Sequence, residues 1–311
     1  MDNPNEGRVI RSTGSWYEVL TKDRHVWQGR LKGKFKLKGF KTTNPIAVGD
    51  QVRFTVEDTA ARTAVITDIL PRHNYIIRQS VHKAAFGHIL AANLDQALLI
   101  ATLTFPRTSL GFIDRFLVTA ESFRIPTVLV FNKIDLLDGE AMGYQRALAA
   151  MYEGIGYPCL LTSVENGTGI EAFHQRLHEK ITLLSGHSGV GKSSLVNRIA
   201  PQLRLRTAEV STFANKGTHT TTFAEMFEIE PDTFLIDTPG IKELGLVDMN
   251  REDLSHYFPE MRQRLNQCRY HNCVHVHEPG CAVLDARAAG EIADSRYASY
   301  LSMLEGGDNR R

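Results

Sequence analysis

The spacing of hydrophobic positions changes twice along this chain of 311 residues. Up to about Arg72 the apolar residues fall in short alternating runs, Arg8–Ile10, Trp16–Leu20, Gln51–Val56 and Ala64–Leu70. Turn-forming pairs, Gly14-Ser15, Asn44-Pro45 and Gly49-Asp50, cut these runs apart, a pattern that predicts a small β-barrel. Beyond Arg72 the runs become continuous and of strand length: Leu98–Leu103, Thr127–Phe131, Cys159–Leu161, Ile181–Ser185 and Thr233–Ile236. They are interleaved with amphipathic stretches at helical spacing, Phe112–Phe123 and Ile170–Lys180, which is the signature of an α/β domain. In the last part, Arg251–Leu265 and Gly290–Leu304 read as helices around a polar segment. The chain is therefore multidomain, with expected divisions at 1–72, 73–245 and 246–311.

Composition refines this picture in three places. At 42% hydrophobic residues there is enough apolar surface for several cores, and the formal charge of +1 averages over unlike regions. Residues Met1–Arg11 lack the apolar stretch of a signal peptide, and runs such as Ala97–Leu103 are far too short to span a bilayer. A cytoplasmic protein without membrane contact, acting as a monomer, is the expectation. Within the barrel region, most simply of the OB type, Leu31–Lys38 reads LKGKFKLK. On a strand, Lys32, Lys34, Lys36 and Lys38 would share one face at roughly 7 Å intervals, and no acid offsets them between Arg24 and Gly49. Such a comb suits a nucleic-acid backbone, releasing its counterions on contact; lysines also protect edge strands from aggregation.

The chemistry concentrates at Ile181–Asn197. Gly186-His187-Ser188-Gly189-Val190-Gly191-Lys192-Ser193 fits G-x-x-x-x-G-K-[ST], with an apolar strand before it and a helix, Ser194–Ile199, after it. Glycines at 189 and 191 let backbone N–H groups turn onto phosphate oxygens at the positive end of that helix. Lys192 would reach the β- and γ-phosphates, and the Ser193 hydroxyl would meet a magnesium ion.

A second motif, Asn132-Lys133-Ile134-Asp135, closes the strand Thr127–Phe131. A carboxylate at position 135 can accept from both N1–H and the exocyclic amine of guanine, whereas adenine offers no such pair and would leave it unpaired. Thr162-Ser163-Val164, after the next strand, falls where small residues and backbone N–H groups pack beside the base. The order is inverted: the base reader precedes the phosphate loop, so the sheet is read as circularly permuted. Downstream, Gly217-Thr218-His219-Thr220-Thr221-Thr222 forms a switch whose hydroxyls can face magnesium, and Asp237-Thr238-Pro239-Gly240 is a D-x-x-G in which Asp237 serves the metal. Thr221 is the middle candidate for the metal, with Thr220 and Thr222 beside it. Gly240 is followed by Ile241, which cannot orient a water as a glutamine would, so His219 becomes the candidate catalytic group.

Three of the four cysteines crowd into the C-terminal part. Cys268-x4-Cys273-x-His275-x5-Cys281 offers three thiols and an imidazole, a donor set for one structural zinc, with His271 and His277 as competing ligands.

Taken in this order, the basic barrel, NKID, GHSGVGKSS, GTHTTT, DTPG and CRYHNCVHVHEPGCAV resemble the RsgA family of circularly permuted GTPases over essentially the whole chain. The resemblance implies a GTP hydrolase stimulated by the small ribosomal subunit, contacting rRNA and assisting a late step of subunit assembly. It implies guanine recognition by Asn132, Lys133 and Asp135, phosphate and magnesium binding by Gly186 through Ser194, and zinc on Cys268, Cys273, His275 and Cys281. Thr218 stands where the family more often has a basic residue. Two other readings are a GTP-gated RNA-docking checkpoint in which hydrolysis only triggers release, and a P-loop ATPase carrying NKID by accident.

Overall fold

In a computed structural model of the chain the alternating N-terminal runs fall on β1 (Glu6–Ser12), β2 (Tyr17–Thr21), β4 (Gln51–Asp58) and β5 (Thr63–Ile69), and β3 (Val26–Leu31), outside those runs, is the fifth strand. The structure describes residues 5–32, 45–79, 87–203, 225–237 and 250–306. The five strands hydrogen-bond in the order β1-β2-β3-β5-β4, and β4 returns to pair with β1, closing the barrel. Alternation buries every second residue along β2 and along β1 up to Val9, after which the β1–β2 register shifts. Val9, Val19, Val52, Phe54, Ala64 and Ile66 fill the interior, with Tyr17 and Ile46 closing it. β3 ends at Leu31, and Lys32 follows it with its N–H still donating to the Ile66 carbonyl at 3.3 Å. Lys34, Lys36 and Lys38 lie outside the described residues.

One buried ion pair ties down the loop into β4. Asp50 is fully buried, its two oxygens accepting from Nε and Nη2 of Arg72 at 2.6 Å each, and it also accepts from the Ala47 N–H at 2.8 Å. Next to it Gly49 has φ 92°, and a Cβ there would strike the Ala92 carbonyl, so glycine is required.

By contact the chain divides into two units, the first comprising Met1–Ala97, His174–Ser185 and Lys192–Gly245, the second Leu98–Phe173, Gly186–Gly191 and Leu246–Arg311. In the first unit the barrel is followed by an antiparallel hairpin that the sequence pattern did not suggest, β6 (Tyr75–Gln79) and β7 (Gly87–Ala92). β8 (Gln96–Ala101) then carries the chain into the second unit, where α1 (Leu110–Ser122), β9 (Thr127–Phe131), α2 (Gly139–Ile155) and β10 (Cys159–Leu161) follow. The order there is β10-β9-β8, and β9 and β10 are parallel. Serine and aspartate caps start the helices as their side-chain chemistry dictates: Ser109 Oγ accepts from Phe112 N, and Asp138 Oδ1 from Ala141 N. After α3 (Ile170–Leu177), β11 (Ile181–Ser185) runs through the first unit's core to α4 (Lys192–Ile199), then β12 (Glu225–Glu230) and β13 (Thr233–Asp237). Within that unit the order β11-β13-β12-β1 joins this ladder to the barrel through Arg11 opposite Glu225. Arg24 reinforces the joint by pairing with Glu228 and, at 3.2 Å, Asp232.

The C-terminal part of the second unit corrects two helix expectations. Arg251–Leu265 is not one helix: a 3-10 turn at Leu254–Tyr257 gives way to α5 (Pro259–Arg262) and a further 3-10 turn at Leu265–Gln267. Phe258 is extended, φ −107° and ψ 103°, as the residue before a proline is pushed to be. Gly290 takes φ 77° and ends α6 (Ala282–Ala288) instead of opening the last helix, so α7 runs only over Asp294–Leu304. Phe258, Met261, Val283, Tyr297 and Tyr300 form the core of this part, together with Val118 of α1.

Breaking the Asp50–Arg72 pair leaves a charge stranded in the barrel wall. Arg72→Ala is expected to lower the unfolding free energy by about 3–5 kcal/mol in urea titrations. A loss near zero would show that the pair carries no such weight.

Candidate nucleotide site and metal centre

Every residue of β11 is buried, so the strand delivers its end to the surface at a fixed place, and Gly186 turns the chain away with φ 143°. A Cβ at Gly186 would strike the Ile100 carbonyl, and one at Gly191, φ 96°, would strike Nδ2 of Asn132. Gly189, φ 85°, comes within ordinary contact of Pro106. The loop is thus glycine-rich because its backbone is pressed against Ile100 of β8 and against Asn132. Lys192 and Ser193 open α4 as buried residues, at 8% and 2% exposure. The Ser193 hydroxyl has no hydrogen-bond partner among the described residues. A buried orphan hydroxyl at the first turn of a helix is what a magnesium ligand of a nucleotide complex looks like before its ion arrives.

The NKID segment sits against this loop. Asn132, 4% exposed, donates through Nδ2 to the Val190 carbonyl at 2.9 Å and accepts at Oδ1 from Thr162 Oγ1 at 3.0 Å. Both ends of its amide are used, so its orientation is fixed. Lys133 adopts a left-handed conformation, φ 62°, and its ammonium donates to the Phe105 carbonyl at 2.8 Å. Asp135 stands exposed, with Oδ1 accepting from Ser163 Oγ at 2.5 Å. One oxygen is held while the carboxylate still faces solvent, the arrangement a reader of paired N–H donors needs. Thr162 and Ser163, expected beside a base, hydrogen-bond the Asn132 and Asp135 side chains. His187 of the loop lies against the Phe112 ring of α1, centroids 3.9 Å apart. His219 and Thr221 lie outside the described residues, as does the Asp237 side chain at the end of β13.

The C-terminal cluster gathers Cys268, Cys273, His275 and Cys281, whose ligand atoms all lie within 4.8 Å of one another. The facing nitrogen is Nδ1, at 3.7 Å from Cys268 Sγ and 3.3 Å from both Cys273 and Cys281 Sγ. Zinc bonds of about 2.3 Å to sulfur and 2.0 Å to nitrogen give S···N edges of about 3.5 Å in a tetrahedron, so the spacing fits that ion. His275 is kinked into position by a left-handed φ of 58°. The Glu278 carboxylate accepts from the N–H groups of Val274, Val276 and His277, which outweigh its partial desolvation and hold its pKa down at about 2. His271 and His277 are exposed and stand outside the cluster, which resolves the choice of imidazole. Burial pushes the Cys273 thiol up to about 12, a cost that coordination to a divalent cation reverses. Cys159, by contrast, is a half-buried strand residue with Sγ near the Ala149 and Tyr157 carbonyls, raised to about 12 by burial and unreactive.

Comparison with known proteins adds to this geometry. A family profile described as RsgA GTPase matches residues 69–247, and one described as RsgA N-terminal domain matches residues 6–64. The chain belongs to the RsgA GTPase family. A Bacteroides thetaiotaomicron protein named small ribosomal subunit biogenesis GTPase RsgA 2 is 51% identical over 300 residues, covering 96% of each chain. A Cytophaga hutchinsonii RsgA of the same description is 50% identical, covering 98% of this chain and 100% of its own. Among solved structures, YjeQ from Thermotoga maritima superposes with a TM-score of 0.81 at 36% identity, covering 99% of both chains. YloQ, described as a circularly permuted GTPase, gives a TM-score of 0.76 at 28% identity over 98% of this chain and 96% of that one. The permuted order read from the motifs is therefore the order of this RsgA fold: β9 with NKID precedes β11 with the phosphate loop.

Sequence reasoning missed Phe112 and Asp114 of α1 and their partners. A signal existed: Asp114 falls three residues before Leu117 and four before Val118, inside the apolar arc of its helix, where a solvated acid is out of place.

Because the binding energy of such a cluster is largely local folding energy, removal of zinc by a chelator is expected to expose the segment 259–304 to protease while residues 6–69 remain protected. The purified protein should carry one zinc per chain by elemental analysis. An unchanged cleavage pattern after chelation would contradict a structural metal.

Proposed function

We propose that this chain binds GTP in complex with magnesium and hydrolyses it to GDP and phosphate, stimulated by the small ribosomal subunit during a late step of that subunit's assembly. The observation that carries the nucleotide part is the bond from Asn132 Nδ2 to the Val190 carbonyl, with Asp135 held by Ser163. It brings a guanine reader and a phosphate loop into one rigid group. The names of the relatives, small ribosomal subunit biogenesis GTPases, support the partner.

In this reading Gly186 through Ser194 cradle the phosphates, Lys192 neutralises charge on the β- and γ-groups, and Asp135 accepts from the guanine N1–H and amine. Ser193 would hold a magnesium ion, with Thr221 and Asp237 as the further candidates, and the ion would supply charge stabilisation to the phosphates. His219 orients the attacking water in the subunit-bound protein. The lysine comb and the zinc-bearing segment meet rRNA, the first through counterion release. Zinc on Cys268, Cys273, His275 and Cys281 is structural, since four protein ligands leave no open position for substrate. Among the described residues no helix is long and apolar enough to cross a membrane; with the ribosomal partner this supports a cytoplasmic protein, which we take to act as a monomer.

Asp135→Asn should weaken GTP binding by orders of magnitude and favour xanthosine triphosphate, whose C2 carbonyl needs a donor where the guanine amine needs an acceptor. Calorimetric titration with both nucleotides checks this, and unaltered GTP affinity would remove Asp135 from the site. His219→Ala should keep GTP and subunit affinity but lose about 10²-fold of the subunit-stimulated turnover. Full stimulation of that variant would transfer the catalytic group to the ribosome.

A further inference from the structure

Behind α1, inside the second unit, lies a buried charged triad that the nucleotide chemistry does not use. The Arg296 side chain of α7 is 0% exposed, and so is that of Asp114. Its Nη1 donates to Asp114 Oδ1 at 2.7 Å, while Nε and Nη2 donate to the two oxygens of Glu260 on α5 at 2.7 and 3.2 Å. Tyr152 of α2 donates to the same Asp114 oxygen at 2.8 Å, and the guanidinium lies 4.6 Å over the Phe258 ring. Burial alone would lower the arginine's pKa, but the two carboxylates hold it above its ordinary value, so the ion is kept charged. Apolar side chains of the same volume would hold such layers together at least as well. What a guanidinium fork adds is one permitted alignment of α1, α5 and α7.

Both ends of this clasp reach a functional group. On α7, Tyr297 donates to the His275 carbonyl and Tyr300 to the Val274 carbonyl, each at 2.7 Å, so the helix that carries Arg296 also grips the metal-binding loop. On α1, two residues before Asp114, the Phe112 ring packs on His187 of the phosphate loop at 3.9 Å. An unbroken run of contacts thus links a zinc-ligating residue to the phosphate cradle through two helices and one ion triad.

We propose that Arg296 is a positioning residue for the phosphate loop, acting through Asp114 and Phe112 on His187, and that it couples nucleotide binding to the order of the zinc loop. The inference rests on the guanine-nucleotide reading of the site. Coupling is reciprocal: whatever the zinc loop does for nucleotide affinity, nucleotide must do for the zinc loop.

The test begins with the unaltered, zinc-loaded protein. Saturation with GDP should slow amide hydrogen exchange, followed by mass spectrometry, about fivefold in α7 and in the segment 273–281. Arg296→Lys keeps the charge but loses the fork; it should retain one zinc per chain and bind GDP about fivefold more weakly by calorimetry, with the exchange response in 273–281 lost. A triple variant, Arg296→Met with Asp114→Leu and Glu260→Met, keeps the volume without the ions and should lose the response in the same way. GDP that binds the parent without altering exchange in α7 and 273–281 overturns the coupling whether or not either variant folds. A folded Arg296→Lys variant with parental GDP affinity and response overturns the role of Arg296. Failure of the parent to bind GDP at all would instead overturn the nucleotide reading.

Discussion

A single side-chain amide holds the candidate site together. Asn132 Nδ2 bonds to the Val190 carbonyl across 58 positions of sequence, and the space it occupies is the space a Cβ at Gly191 would take. The NKID segment and the glycine-rich loop are therefore held together, their separation set by a hydrogen bond and a missing methyl group. Nothing in that contact depends on which segment comes first along the chain. This is why the order can be permuted while the contact survives: it joins residues 132 and 190 whichever is made first. Permutation changes only what the loose ends lead to. In sequence the strand that carries Asp237 now precedes the Cys/His segment, and β12 is hydrogen-bonded to β1 of the barrel.

The flanking elements are fixed by burying charge as much as by burying hydrocarbon. Asp50–Arg72 fastens the barrel loop, and Arg296 with Asp114 and Glu260 fastens α1 to the C-terminal helices. Each is a costly way to make a contact, since desolvation offsets most of the attraction, and each gives directional alignment that aliphatic packing lacks. The zinc cluster works on the same principle. Four donors that would repel or stay protonated alone could become a rigid corner around a cation, and Glu278 holds the loop's N–H groups in place.

How much was legible from sequence followed the range of the forces involved. The glycine-rich loop, NKID and the Cys/His spacing are local motifs readable from residues a few positions apart; the fold sets NKID against that loop and gathers the three cysteines with His275. Four of the five barrel strands were visible because one face alternates, and β3 was not among the runs read. The hairpin β6–β7 was not visible, since its second strand, GHILAA, lacks that alternation. The helix expected over Arg251–Leu265 overlooked Pro259, whose ring forces Phe258 to be extended. Least legible were Asp114, Glu260 and Arg296. In a linear sequence they are ordinary charges on amphipathic segments, and only the fold brings positions 114, 260 and 296 to one point.

In the proposed function a guanine-nucleotide site hydrolyses fast only when a partner completes it. Steady-state GTP turnover, titrated with purified small ribosomal subunits at fixed enzyme, should then show a slow basal rate that rises saturably with subunit concentration, and no such rise with ATP. Turnover that is indifferent to small subunits, or equally raised for ATP, would contradict it.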